Sequence, residues 1–210
     1  MVLFMSDEAH FHLNGYVNKQ NCRYWSPVNP QQLHEEPLHT PKVTVWCAIG
    51  ATQIIGPYFF EDNGQTTTVN SERYIEMLTQ FFFPELQRRR VSIRKVWFQQ
   101  DGATSHTARA SMEVLRQKFP GRLISRFGDV PWPPRSPDLS LCDFFLWGHL
   151  KSKVYQYKPQ TLDELKNEIT RVVGEVPGQM LTDAMDSFRE RLHSCIAAQG
   201  RHMTDIIFKT

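Results

Sequence analysis

Three short acidic motifs carry the residue types that could do chemistry: Ser6-Asp7-Glu8-Ala9, Gln100-Asp101-Gly102-Ala103 with His106 shortly after, and Ser136-Pro137-Asp138-Leu139-Ser140-Leu141-Cys142-Asp143. Singly, each has a plain structural reading. An aspartate after a strand forms turns, Asp-Gly is a turn dipeptide, and an aspartate near a helix start complements the helix dipole. Together they have a chemical reading. Two carboxylates at the ends of neighbouring strands, with a third at a helix start, make an oxygen-donor set that holds hard divalent cations for phosphoryl transfer. Three ionised carboxylates brought together without a cation would repel, so such a set calls for Mg2+ or Mn2+.

The elements that must position these residues follow from periodicity. Val2 to Met5 is an apolar run ending at Ser6-Asp7-Glu8, which predicts a buried strand with carboxylates at its carboxyl end. Segments 10–16 and 22–25 continue a strand pattern around a polar turn, and 26–41, with its prolines, reads as loop. The β-rich runs 43–50 and 54–60 predict an antiparallel hairpin over 42–61. From Asn70 or Ser71, both good caps, Tyr74, Leu78, Phe81 and Phe82 recur at helical spacing as far as Pro84. Val96-Trp97-Phe98 is a second short strand running into Gln99-Gln100-Asp101-Gly102, so a carboxylate again follows a strand.

Residues 107–119 read as a helix with Met112, Leu115 and Phe119 on one face, and 123–125 as a short strand. The proline-rich stretch 130–137 cannot be helical. Beyond it, Ser140 starts a helix bearing Phe144, Phe145, Leu146, Trp147 and Leu150, Thr161 with Glu164 forms a capping box for another, and a last helix through Leu181, Met185, Phe188, Leu192 and Cys195 stops at Gly200. Strands first and helices afterwards predict an α/β domain: a mixed sheet covered by helices.

Composition narrows the function classes. The chain has ordinary globular composition, and its net charge of +2 does not by itself advertise a polyanion partner. Basic residues cluster locally at Arg88, Arg89, Arg90, Arg94 and Lys95, which a solvated turn also explains. The cysteines at 22, 47, 142 and 195 form no close pair, which removes a zinc ribbon and argues for a reducing compartment. His10 and His12 share a strand face, as alternate residues do whether or not they bind metal. No apolar run reaches the roughly 20 residues a membrane span needs, and the start lacks the pattern of a signal peptide.

The sequence resembles the catalytic domain of DDE/DDD transposases of the Tc1/mariner superfamily over nearly its whole length. The resemblance rests on the SDEAHF opening followed by a hairpin, on VWFQQDGATSHTA, and on WPPRSPDLSLCDFFLWG. It implies an RNase H-like fold, with a mixed five-stranded sheet flanked by helices and further C-terminal helices, in one domain over 1–210. It implies a catalytic and metal-binding triad of Asp7, Asp101 and Asp143, holding Mg2+ or Mn2+, two ions, with no small-molecule cofactor. Between these aspartates lie 93 and 41 residues, the second gap longer than the mariner pattern, and Leu141 stands where the third block usually has proline.

The activity implied is metal-dependent cleavage of DNA phosphodiesters and strand transfer, in the nucleus. The partner is DNA, held through its phosphates, with a homodimer allowed and no membrane. Arg88, Arg89, Arg90, Arg94, His106 and Arg135 are candidate DNA contacts, with Trp132 beside them. For His106 the residues favour a different role, hydrogen-bonded to its neighbours at the start of a helix. Family members carry helix-turn-helix units before the first catalytic strand, and only six residues precede Asp7, so the expectation is a truncated copy without terminal-repeat recognition. The alternative is a catalytically inactive nucleic-acid-binding remnant. A ribonuclease acting on RNA/DNA hybrids shares the fold but not the SPDL block.

Overall fold

The computed structural model describes residues 2–15, 40–134 and 136–200. The expected strand residues 16 and 22–25, most of the 26–41 loop and Arg135 lie outside the described residues.

A mixed sheet of six strands organises the chain. Its strands are β1 (Val2–His12), β2 (Lys42–Gly50), β3 (Ile54–Phe59), β6 (Val96–Gln99), β7 (Leu123–Ser125) and β8 (Val130–Pro131), with a small separate ribbon of β4 (Glu61–Asp62) and β5 (Gln65–Thr66). The order across the sheet is β3-β2-β1-β6-β7-β8. The β1–β2 and β2–β3 pairs are antiparallel, as the hairpin pattern predicts, whereas β1, β6, β7 and β8 run parallel. Beyond a core of five strands, the sheet gains only the two-residue edge β8.

One expectation is corrected here. β1 does not end at the carboxylates but runs on to His12, because β2 pairs with it from Phe4 to His12. What ends is its other neighbour. The parallel β1–β6 ladder stops at Met5 opposite Gln99, so Asp7 lies just past it, beside the chain that leaves β6 towards Asp101. Ser6 helps hold that junction by donating its hydroxyl to the Gln99 carbonyl at 3.0 Å.

Helices cover both faces: α1 (71–88), α2 (Thr104–Thr107), α3 (Arg109–Lys118), α4 (142–154), α5 (Leu162–Glu175) and α6 (Gly178–Ala197). Side chains alternate across a strand, so each face collects its own core. Met5, Phe11, Val45, Cys47 and Ile49 pack with Leu146, Leu150, Ile169 and Met185 of α4 to α6. On the opposite face Phe4, Trp46, Ala48 and Phe98 pack with Leu78, Phe82, Met112 and Leu115 of α1 and α3.

Two helices depart from the pattern read in the sequence. α1 passes through Pro84 to Arg88 because its middle, Met77–Phe82, is a π-helical stretch in which the Phe83 amide reaches the Leu78 carbonyl. The register shift places Pro84 in the first turn of the following α-helical segment, where its missing amide costs nothing. The helix expected over 107–119 is broken at Ala108, whose extended ψ of 142° separates α2 from α3. The Thr161 cap forms as expected, accepting from the Glu164 amide, while Glu164 returns a bond to the Gln160 amide, one residue before the cap.

Candidate active site

Because neighbours on a strand face opposite ways, Asp7 and Glu8 enter different surroundings. Asp7 faces α4, where Trp147 donates its indole N–H to Oδ2 at 2.8 Å. That helix is seated on β1 by buried Leu146, Trp147 and Leu150, and the Cys142 thiol reaches the Met5 carbonyl at 3.5 Å. Asp143 stands in the first turn of α4, its carboxyl bonded to Ser140.

Asp101 is carried by the loop leaving β6. Its Oδ1 accepts from the Ala103 amide at 2.9 Å and bonds His106 Nδ1 at 2.6 Å, while His106 Nε2 bonds Glu8 Oε1 at 3.0 Å. The loop is stapled from below by Gln100, which is fully buried. Its amide nitrogen donates to the His106 carbonyl at 2.9 Å and to Ser125 Oγ at 3.1 Å, and its oxygen accepts from the Tyr74 hydroxyl at 2.7 Å. Neither Gln100 nor Trp147 is singled out by its type or spacing in the sequence, since both partners are distant along the chain.

The electrostatics of the two sides differ. Burial pushes Asp7 well above the usual carboxylate range, and the charges of Asp143, Glu8 and Asp101 push the same way against the Trp147 bond. Asp143 is raised by burial and by Asp101, with Ser140 and Lys151 opposing. Asp101 is lowered: burial would raise it, but the His106 and Ala103 bonds prevail. Burial disfavours the His106 imidazolium, yet Glu8 and Asp101 outweigh it and lift its pKa to about 10. His106 is therefore a protonated bridge between two carboxylates.

The three aspartates predicted from the sequence are thus brought within reach of one another's charge, and Asp101 and Asp143 line one cleft of about 320 Å³ with Gly102, Arg126, Trp132 and Ser140. Carboxylate oxygens are the donors hard divalent cations take, so the donor chemistry fits Mg2+ or Mn2+. The arrangement is open: among the described residues no three His, Cys, Asp or Glu side chains already form a closed ligand group. Asp138 stands apart from it, its carbonyl accepting from Arg191 of α6 at 3.5 Å.

The remaining candidates fall elsewhere. Arg88, Arg89, Arg90 and Arg94 precede β6, whereas Asp101 follows its other end. Arg88 and Arg89 both pair with Glu85, and Arg89 also donates to the Ile54 carbonyl at 2.8 Å. His106 is 1% exposed with both ring nitrogens engaged, the neighbour-bonded role that the sequence favours over a DNA contact.

No family model and no curated protein matches the chain. Solved structures do. Mos1 transposase in a paired-end complex with the left transposon end superposes with a TM-score of 0.73 and 21% identity, over 95% of this chain and 56% of that one. The Mos1 transposase catalytic domain with raltegravir and Mg superposes at 0.71 with 20% identity, over 96% of this chain and 85% of that one. The Mos1 strand transfer complex gives 0.68 with 22% identity, over 96% and 55%. This chain therefore spans little more than half the length of the Mos1 chains in the two complexes. Its fold, six strands flanked by helices, is the RNase H-like fold of the Mos1 mariner transposase catalytic domain.

Proposed function

We propose that this domain cuts and rejoins DNA phosphodiester bonds at Asp7, Asp101 and Asp143, with divalent cations as cofactor. The observation that carries the reading is the convergence of these three carboxylates near the carboxyl end of β6, close enough that Asp143 and Asp101 raise Asp7 and Asp101 raises Asp143. The structural neighbours include Mos1 transposase with a transposon end and its catalytic domain with Mg, which supports the reading by analogy of fold.

In the first step water attacks phosphorus and the P–O3′ bond breaks, the 3′ oxygen leaving as a hydroxyl. In the second that hydroxyl attacks a target phosphodiester and displaces another 3′ oxygen. Two bound cations would neutralise charge on the attacking and leaving oxygens. The protein's own part is to hold the carboxylates still. Trp147 fixes Asp7 through Oδ2, both bonds to Asp101 fall on Oδ1 and leave Oδ2 to take a cation, and α4 carries Asp143 to the cleft. DNA is held by its phosphates, with Arg126 at the cleft and the arginines before β6 as a second, more distant contact. Such binding carries no base readout, and the compartment that fits it is the nucleus.

A second reading, a DNA-binding domain without catalysis, is favoured by the open ligand geometry. Nicking of supercoiled plasmid separates the two. Mg2+- or Mn2+-dependent nicking that vanishes in Asp143→Asn supports the catalytic reading, and plasmid binding without nicking supports the inert one.

A further inference from the structure

The strand β7 leaves the sheet beside the carboxylate cleft, and the turn that follows carries, next to Arg126, a side chain the catalytic reading does not use. Arg126 is exposed and lines the cleft with Asp101 and Asp143, its Cδ lying 3.6 Å from where a Cβ on Gly102 would stand. Phe127 is 53% exposed, a large apolar ring in open solvent. The Arg126 guanidinium sits 5.2 Å from the Phe127 ring centroid, and Arg116 Nη2 anchors the Phe127 carbonyl at 2.8 Å. Gly128 makes the turn possible, since a Cβ there would meet the Leu123 carbonyl at 2.4 Å.

An exposed ring on a fixed backbone, flanked by two guanidinium groups, has the chemistry of a stacking platform. Nucleobases stack on aromatic faces whatever their sequence, and arginine supplies the phosphate contact alongside. A paired base in a duplex hides its face and cannot use such a ring. We infer that Phe127, with Arg126 and Arg116, binds an unpaired nucleotide of the DNA strand entering the Asp101–Asp143 cleft, so that the site prefers ends with a single-stranded overhang. This rests on the reading of the cleft as a DNA site, and its test is chosen to fail separately.

The test measures binding of fluorescein-labelled duplexes to the full chain in EDTA, one blunt and one carrying a short oligothymidylate overhang. The wild type should bind the overhang duplex about tenfold tighter, the order of one stacked base. Phe127→Ala should abolish that preference while leaving blunt binding unchanged, Phe127→Trp should restore it, and Arg126→Ala should weaken both probes. Equal binding of both duplexes by the wild type, or an undiminished preference in Phe127→Ala, overturns the platform and leaves an exposed surface pair only. Overhang preference without plasmid nicking would sink the catalytic reading and keep the platform, and nicking without overhang preference would do the reverse.

Discussion

Asp7 and Glu8 are consecutive on one strand, and the protein treats their charges in opposite ways. On the Glu8 face an internal cation, His106, bridges Glu8 and Asp101 and is itself stabilised by them. On the Asp7 face Asp143 and Asp101 raise Asp7 and Asp101 raises Asp143, with a neutral indole donor and Lys151 as the cation that opposes the rise of Asp143. One face has compensated its charge from its own side chains, and the other leaves a deficit of positive charge. Asp101, at the seam, belongs to both. On the proposed function, the salt bridge holds Asp101 rigid and the opposite side is left to take a cation from solution.

The comparison breaks first at the carboxylates. Asp7→Asn, Asp101→Asn and Asp143→Asn should each reduce metal-dependent nicking by about 10³-fold, the loss of roughly 4 kcal/mol of charge stabilisation. Asp138→Asn, facing α6 instead, should leave the rate near wild type. Plasmid nicking checks both, and loss in Asp138→Asn with retention in Asp143→Asn would show the wrong carboxylate was assigned.

Next in size is the compensated face. His106→Gln leaves Glu8 and Asp101 without their cation, and should destabilise the fold by about 3–5 kcal/mol in urea unfolding. The pH dependence has a definite sign. The folded pKa of His106, about 10, lies above its ordinary 6.5, so its contribution is fully present below pH 6.5 and is lost as pH rises through about 10. A wild-type stability that holds level across that window, or falls equally in His106→Gln, would count against the bridge.

A smaller effect is expected at Trp147. Trp147→Phe keeps an aromatic ring against Phe11 but removes the donor to Asp7, costing about 1–2 kcal/mol in stability and loosening cation binding. A shift in stability with unchanged cation affinity would mean the indole only packs. Least is expected from the arginines before β6: Arg94→Ala should lower the salt slope of DNA binding by about one phosphate contact without changing nicking at saturating DNA. A slope that does not move would remove Arg94 from the interface.

Much of this comparison was legible in the sequence, for stated reasons. The apolar run of Val2 to Met5, the hairpin pattern of 42–61 and the Thr161 cap are local, and local pattern fixes local structure. The resemblance singled out Asp7, Asp101 and Asp143, which the fold brings together. What stayed hidden is what depends on distant partners. Trp147 meets Asp7 across 140 positions and His106 meets Glu8 across 98, and helical spacing marks Trp147 as apolar without saying that its N–H has a carboxylate to serve. The extent of β1 depended on β2, and the passage of α1 through Pro84 on a π-helical shift that no residue type announces.

The central claim, that the Asp7 face lacks positive charge and takes it up as a divalent cation, is tested most directly by titrating Mn2+ into the chain by calorimetry in buffers of different ionisation heat. Because burial and the neighbouring carboxylates raise Asp7 above the usual carboxylate range, binding should release more protons as the pH of the titration is lowered. Asp7→Asn should weaken binding at least about tenfold and remove most of that release, as expected for loss of one anionic ligand. Equal affinity and equal proton release in the wild type and in a variant with all three aspartates changed to asparagine would contradict it.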